Sequence, residues 1–143
     1  MKTFIKKKIT ISDKDNLILL CDSKSKLLKF KLSKKELEYI KKEQKKGNEI
    51  VEINQYSRHI FVVLPKKEKI INKHTENCRM LGNFLSNRIK NNSSILIVDI
   101  KKNPTDAMLI AEGLALSNYA FIKHKTDPKK NRLNTIYLCK ISN

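Results

Sequence analysis

Apolar and basic residues alternate at the edges of Thr3–Ile11 (TFIKKKITI), which predicts a half-solvated strand. Asn16–Cys21 (NLILLC) is instead a continuous apolar run, the pattern of a strand buried on both faces, with SDKDN as the turn between them. LSKKEL, Leu32 to Leu37, is a helix start. Ser33 is placed as N-cap with Glu36 three residues later, a capping box, and Leu32 and Leu37 flank it as a hydrophobic staple. That helix runs to about Lys46 and stops at Gly47, and its thin stripe of Leu37 and Ile40, with Tyr39 as a further candidate, predicts a mostly exposed element. Glu49–Ile53 and His59–Leu64 read as strands joined by NQYSR, the second ended by Pro65.

A long helix is predicted over Glu68–Asn91. Ile71, His74, Cys78, Leu81, Leu85 and Ile89 recur at spacings of three and four and therefore share a face. NNSS breaks it, and Ser94–Ile100 (SILIVDI) is another buried strand. KNPTD then opens a helix, with Asn103 or Thr105 as cap and Pro104 in the first turn. Thr135–Ile141 (TIYLCKI) closes the chain as a strand. Strands and helices alternate, which predicts one α/β domain over residues 1–143, with a mixed, mostly buried sheet and helices on both faces.

The helix after KNPTD stands apart. From Ala107 to Ile122 its one charged residue is Glu112, in a chain that is 31% charged. Leu109, Leu114 and Leu116 cannot all face one sheet, because successive helical residues rotate by about 100°. The pattern predicts that one face packs on the sheet and part of another docks a further domain or subunit. Gly113 inside this helix costs about 1 kcal/mol relative to alanine, and a close approach of another backbone is the reason expected for it.

Composition narrows the function. The formal charge is +17, which invites a nucleic-acid partner. Against it, only Arg58, Arg79, Arg88 and Arg132 are arginines, the lysines are spread along the chain, and aromatics reach only 6% with no tryptophan. The basic N-terminus lacks the apolar segment of a signal peptide, and no run of about 20 apolar residues offers a membrane span, so a cytoplasmic location is expected. Cys21, Cys78 and Cys139 match no zinc spacing and are expected to be buried thiols.

Catalytic patterns are scarce. His59, His74 and His124 do not pair with one another at helical metal spacing, and a half-buried, satisfied imidazole is expected at His74 and a helix-end role at His124. Gly47, Gly82 and Gly113 form no phosphate-cradling loop, and no Gly-x-Ser-x-Gly elbow occurs. Asp99 at a strand end and Asp106 in a first helical turn are expected to be solvated or helix-start carboxylates rather than catalytic ones.

AEGLALSNYAFIKHKTDPKKNRLNTIYL resembles the end of the N-terminal domain of the leucine aminopeptidase (cytosol aminopeptidase) family of metallopeptidases. The likeness lies in the Glu112-Gly113 helix, its small residues, the aromatic pair Tyr119 and Phe121, and the basic loop Lys123-His124-Lys125-Thr126. CRMLGNFLSNRIK and SILIVDI upstream extend it. The resemblance implies a three-layer macro-domain-like fold that packs against a C-terminal peptidase domain and contributes to assembly, a homo-hexamer in that family. It also implies that the two divalent metal ions, zinc or manganese, and the catalytic residues belong to that other domain, expected beyond Asn143. The family's metal-binding string Asn-Thr-Asp-Ala-Glu-Gly-Arg is absent, and Asn103–Ala107 (NPTDA) lacks its Glu-Gly-Arg continuation. No catalytic, cofactor-binding or metal residue is therefore carried over to this chain, and the low glycine content argues against ADP-ribose binding.

The leading expectation is a non-catalytic packing and assembly domain of a leucine-aminopeptidase-like enzyme; the alternative is a basic nucleic-acid-binding module of similar fold. A titration with duplex DNA separates them. Incidental charge predicts weak, non-specific binding, with a dissociation constant of about 10⁻⁴–10⁻⁶ M at physiological salt. Nanomolar binding that prefers one sequence would favour the alternative.

Overall fold

A computed structural model describes residues 4–8, 10–22, 27, 30–66, 68–89, 94–123 and 135–140, the side chains at 118–123 and 140 excepted. The elements are β1 (Phe4–Lys7), β2 (Leu17–Leu20), α1 (Lys34–Lys45), β3 (Ile50–Asn54), β4 (His59–Val63), α2 (Ile71–Arg88), β5 (Ser94–Asp99), α3 (Pro104–Lys123) and β6 (Thr135–Lys140). They build one six-stranded sheet in the order β1-β6-β5-β2-β4-β3. Every pairing is parallel except that of β3 with β4.

Alternation along the strands sorts the core into two layers, because successive side chains point to opposite faces. Ile18, Leu20, Phe61, Val63, Ile95, Ile97 and Ile136 pack with α2 and α3 on one face. Leu17, Leu19, Ile60, Val62, Leu96 and Val98 meet Ile40 of α1 on the other. The result is the three-layer α/β fold that the pattern predicts. β2 is buried along its whole length, as a central parallel strand covered on both faces must be. The capping box of α1 is present: Glu36 N donates to Ser33 Oγ at 3.1 Å, and Ser33 N donates to Glu36 Oε1 at 2.8 Å. Gly47 ends the helix at φ +88°.

Three expectations change. β1 is shorter than predicted and exposed throughout, because it is an edge strand that pairs only with β6. α2 begins at Ile71 rather than Glu68, and Ile71 lies off the expected stripe at 80% exposure, ahead of the turns that meet the sheet and α3. Asp99 is buried rather than solvated; its Oδ1 accepts from Asn103 N at 2.9 Å and shapes the loop into α3.

α2 and α3 lie against each other on one face of the sheet, and two glycines explain how closely. A Cβ placed on Gly82 would collide with the Ile110 carbonyl of α3 and fall 2.9 Å from Leu114 N; one on Gly113 would collide with the Arg79 carbonyl of α2. The backbone approach expected of Gly113 is thus made by α2, with Gly82 as its counterpart. Leu109, Ile110, Ala111 and Leu114 are buried, whereas Met108 is 41% and Leu116 66% exposed. The charge-poor helix therefore packs one face into the core and shows apolar side chains on another. Its Tyr119, Phe121 and Ile122 side chains, and the loop carrying His124, lie outside the described residues.

Gly82→Ala and Gly113→Ala should each lower stability by about 1–3 kcal/mol, the range of core overpacking, although alanine is the better helix former by about 1 kcal/mol. Urea unfolding checks this. The midpoint should fall with an unchanged slope, and a rise in stability would mean that the helices are not held at this distance.

Candidate functional site

The helices that follow β2 and β5 lie on opposite faces of the sheet, although the two strands are neighbours. In open α/β sheets the carboxyl ends of strands at such a switch point are the usual place for a ligand. Here the β5 loop is tied down, since Ile100 N and Lys101 N both donate to Leu20 O, at 3.0 and 3.2 Å.

Asn103 caps α3, its Oδ1 accepting from Asp106 N at 3.1 Å, with Pro104 as the first helical residue. This cap places Asp106 in the first turn, where a carboxylate is favoured by the helix dipole. Asp106 is thus the first-turn carboxylate expected, but it is buried rather than solvated, at 2% exposure. Its Oδ1 accepts from His74 Nε2 of α2 at 2.7 Å. Lys101 Nζ, whose side chain is only 15% exposed, stands 2.6 Å from the other oxygen, Oδ2, as an ion pair. One helical turn along α2, Cys78 Sγ lies 3.6 Å from the same His74 Nε2.

The electrostatics follow from this packing. Burial raises the pKa of Asp106, but the contacts from Lys101 and then His74 outweigh it and hold the carboxyl below its ordinary value. Burial, followed by the negative charge of Asp106, pushes the Cys78 thiol up to about 12. An ionised carboxylate only accepts, so the proton between Asp106 and His74 sits on Nε2. That nitrogen cannot also take a proton from Cys78. A nucleophile–base–acid relay needs the two ring nitrogens to serve different partners, and here one nitrogen serves both. The cluster is not a cysteine-protease-like triad.

Instead, one histidine nitrogen, one thiol and one carboxylate oxygen converge within 4.8 Å of one another. His74 is half-buried with a partner, as expected. The spacing of His74 to Cys78, four residues on one helix, was legible in the sequence; the meeting with Asp106, 32 residues from His74, was not. His59 does not join the group. It lies 3.5 Å from Glu52 and stacks near Phe61. None of the three cysteines forms a disulfide, and all are buried.

What these features define is an α/β domain of three layers with a polar cluster where α2 meets α3. No family model matches the sequence, and no curated protein matches it either. Among solved structures, a mutant of tomato leucine aminopeptidase is similar, with a TM-score of 0.63 and 14% sequence identity over 99% of this chain. The chain spans about a third of that enzyme's length (33%). The similarity is one of fold. Among the described residues, no helix is long and apolar enough to cross a membrane.

Lys101 and Asp106 should be strongly coupled. In chelator-treated protein, Lys101→Met and Asp106→Asn should each destabilise by about 3 kcal/mol, since breaking a buried pair strands a charge. The double variant should lose less than the sum, by about 0.5–3 kcal/mol. Additive losses in urea unfolding would show that the two side chains act separately.

Proposed function

We propose that this chain is the N-terminal domain of a leucine-aminopeptidase-like metallopeptidase, with a packing and assembly role rather than a catalytic one. The observation that carries the reading is the fold likeness to a leucine aminopeptidase along 99% of this chain but only a third of that enzyme. The resemblance of Ala111–Leu138 to the end of the family's N-terminal domain supports it independently. The partner of this domain would be a C-terminal peptidase domain that holds the two divalent metals and the catalytic groups, in an oligomer of such subunits.

The surface supports such a role. Met108 and Leu116 of α3 are exposed, as are Met80 and Phe84 of α2, so the outer side of the helix pair carries several apolar side chains among its polar ones. Between them, Arg79 lies 3.6 Å from Glu112 and Ser117 Oγ donates to Asn83 Oδ1 at 2.6 Å, polar bridges across the same pair. Apolar anchors interleaved with a few polar groups are what a docking face between domains requires.

The reading is tested first by the coding sequence that follows codon 143. An in-frame peptidase domain with Lys, Asp and Glu metal ligands is expected; a stop codon there overturns the proposal. A second test is activity. The 143-residue chain alone should not hydrolyse leucine p-nitroanilide with added manganese or zinc, and turnover of about 1 per second or more, ordinary for an enzyme, would contradict it. Leu116→Lys should leave the stability of the chain within about 0.5 kcal/mol yet weaken assembly of the longer protein, as read by analytical ultracentrifugation.

A further inference from the structure

We infer that His74, Cys78 and Asp106 form a binding site for a divalent transition-metal ion of the zinc class. This departs from the sequence-based expectation of no metal ligand in the chain, and it does not depend on the domain reading above.

The donor set is chemically apt. A thiolate, an imidazole and a carboxylate are the three ligand types that zinc takes, and three protein ligands leave a fourth position open. Softer thiolate and imidazole donors select zinc, cobalt or copper over magnesium and calcium, which prefer oxygen. The placement agrees as well as the types. His74 Nε2 touches both the thiol and the carboxylate, and the three donor atoms all lie within 4.8 Å of one another.

Distances permit an ion. Tetrahedral zinc with ordinary bond lengths holds its ligand atoms about 3.3–3.6 Å apart. His74 Nε2 and Cys78 Sγ stand at 3.6 Å. The 2.7 Å between Nε2 and Asp106 Oδ1 is a hydrogen-bond length; exchanging that proton for a metal would widen it by about 0.6 Å, a small rotation for a histidine whose side chain is 27% exposed. The same exposure provides the entry path.

Lys101 completes the design. It contacts Asp106 through Oδ2, leaving Oδ1 to the metal, and so orients the ligating carboxylate from behind, as outer partners of metal ligands do. On binding, the Cys78 thiol gives its proton to solvent; the doubly charged ion, the thiolate and the carboxylate then sum to zero, and Lys101 keeps its positive charge beside them. Bound metal would clamp α2 to α3 beside the glycine contact. Ligands on both helices make it a brace for the helix pair that presents Met108 and Leu116.

Cobalt binding to the purified, chelator-treated chain tests the site. One Co²⁺ per chain is expected, with a thiolate-to-cobalt charge-transfer band that zinc displaces. His74→Gln and Cys78→Ser should each weaken binding by about tenfold or more and abolish or shift the band, while His59→Gln should leave both unchanged. Zinc should raise the melting temperature of the native chain but not of His74→Gln, whose half-exposed position keeps this arm informative even where Cys78→Ser fails to fold. No band in the native chain, equal cobalt affinity in His74→Gln, or a zinc-induced rise in melting temperature that survives in His74→Gln would each overturn the site and leave the cluster as a salt-bridged helix contact.

Discussion

At Gly82 and Gly113 the backbones of α2 and α3 occupy the space that side chains would take. Each glycine sits against a carbonyl of the opposite helix, so neither can gain even a methyl group without pushing the helices apart. Helix axes usually stand about 8–10 Å apart, at a distance set by the side chains at the contact, and removing two of them is the most direct way to shorten it. The rest of that face follows from this contact. It lets Leu81 and Leu85 of α2 join Ile110 and Leu114 of α3 and Ile95 and Ile97 of β5 in one buried cluster, and it brings the first turn of α3 alongside the second turn of α2.

That second consequence is the chemical one. Asp106 is placed by the cap at Asn103 and the tether of the β5 loop to β2, and His74 and Cys78 by the pitch of α2. Only when the helices touch do the three donors meet. The cluster then carries opposed demands: burial alone would neutralise Asp106, while Lys101 and His74 keep it charged. A buried ion pair of this kind adds little net stability compared with apolar packing. Its presence at the carboxyl end of the sheet, where the chain offers ample apolar residues, fits a site better than a core.

Much of the architecture was legible beforehand because it rests on local rules. The capping box at Ser33, the stop at Gly47, the buried runs of β2, β4 and β5 and the stripe from Cys78 to Ile89 are each written within a few residues. Where these readings failed, a neighbour decided. β1 has an alternating pattern but no covering layer, and Ile71 has the right spacing but lies beyond the helix packing. Asp99 reads as a solvated strand end, yet the loop folds back over it.

The sequence by itself determined the element order, the α/β class and the anomaly of a charge-poor helix, because periodicity of 2 or 3.6 and capping chemistry act over short separations. It also raised the expectation of a close backbone neighbour at Gly113. Only the tertiary structure decided which backbone that neighbour was, and that Leu109 and Leu114 belong to the core while Met108 and Leu116 face solvent. It alone joined His74 and Cys78 to Asp106 and Lys101. Contacts between residues some thirty positions apart depend on how helices pack, and a packing distance is a property of two surfaces together, which neither segment encodes alone.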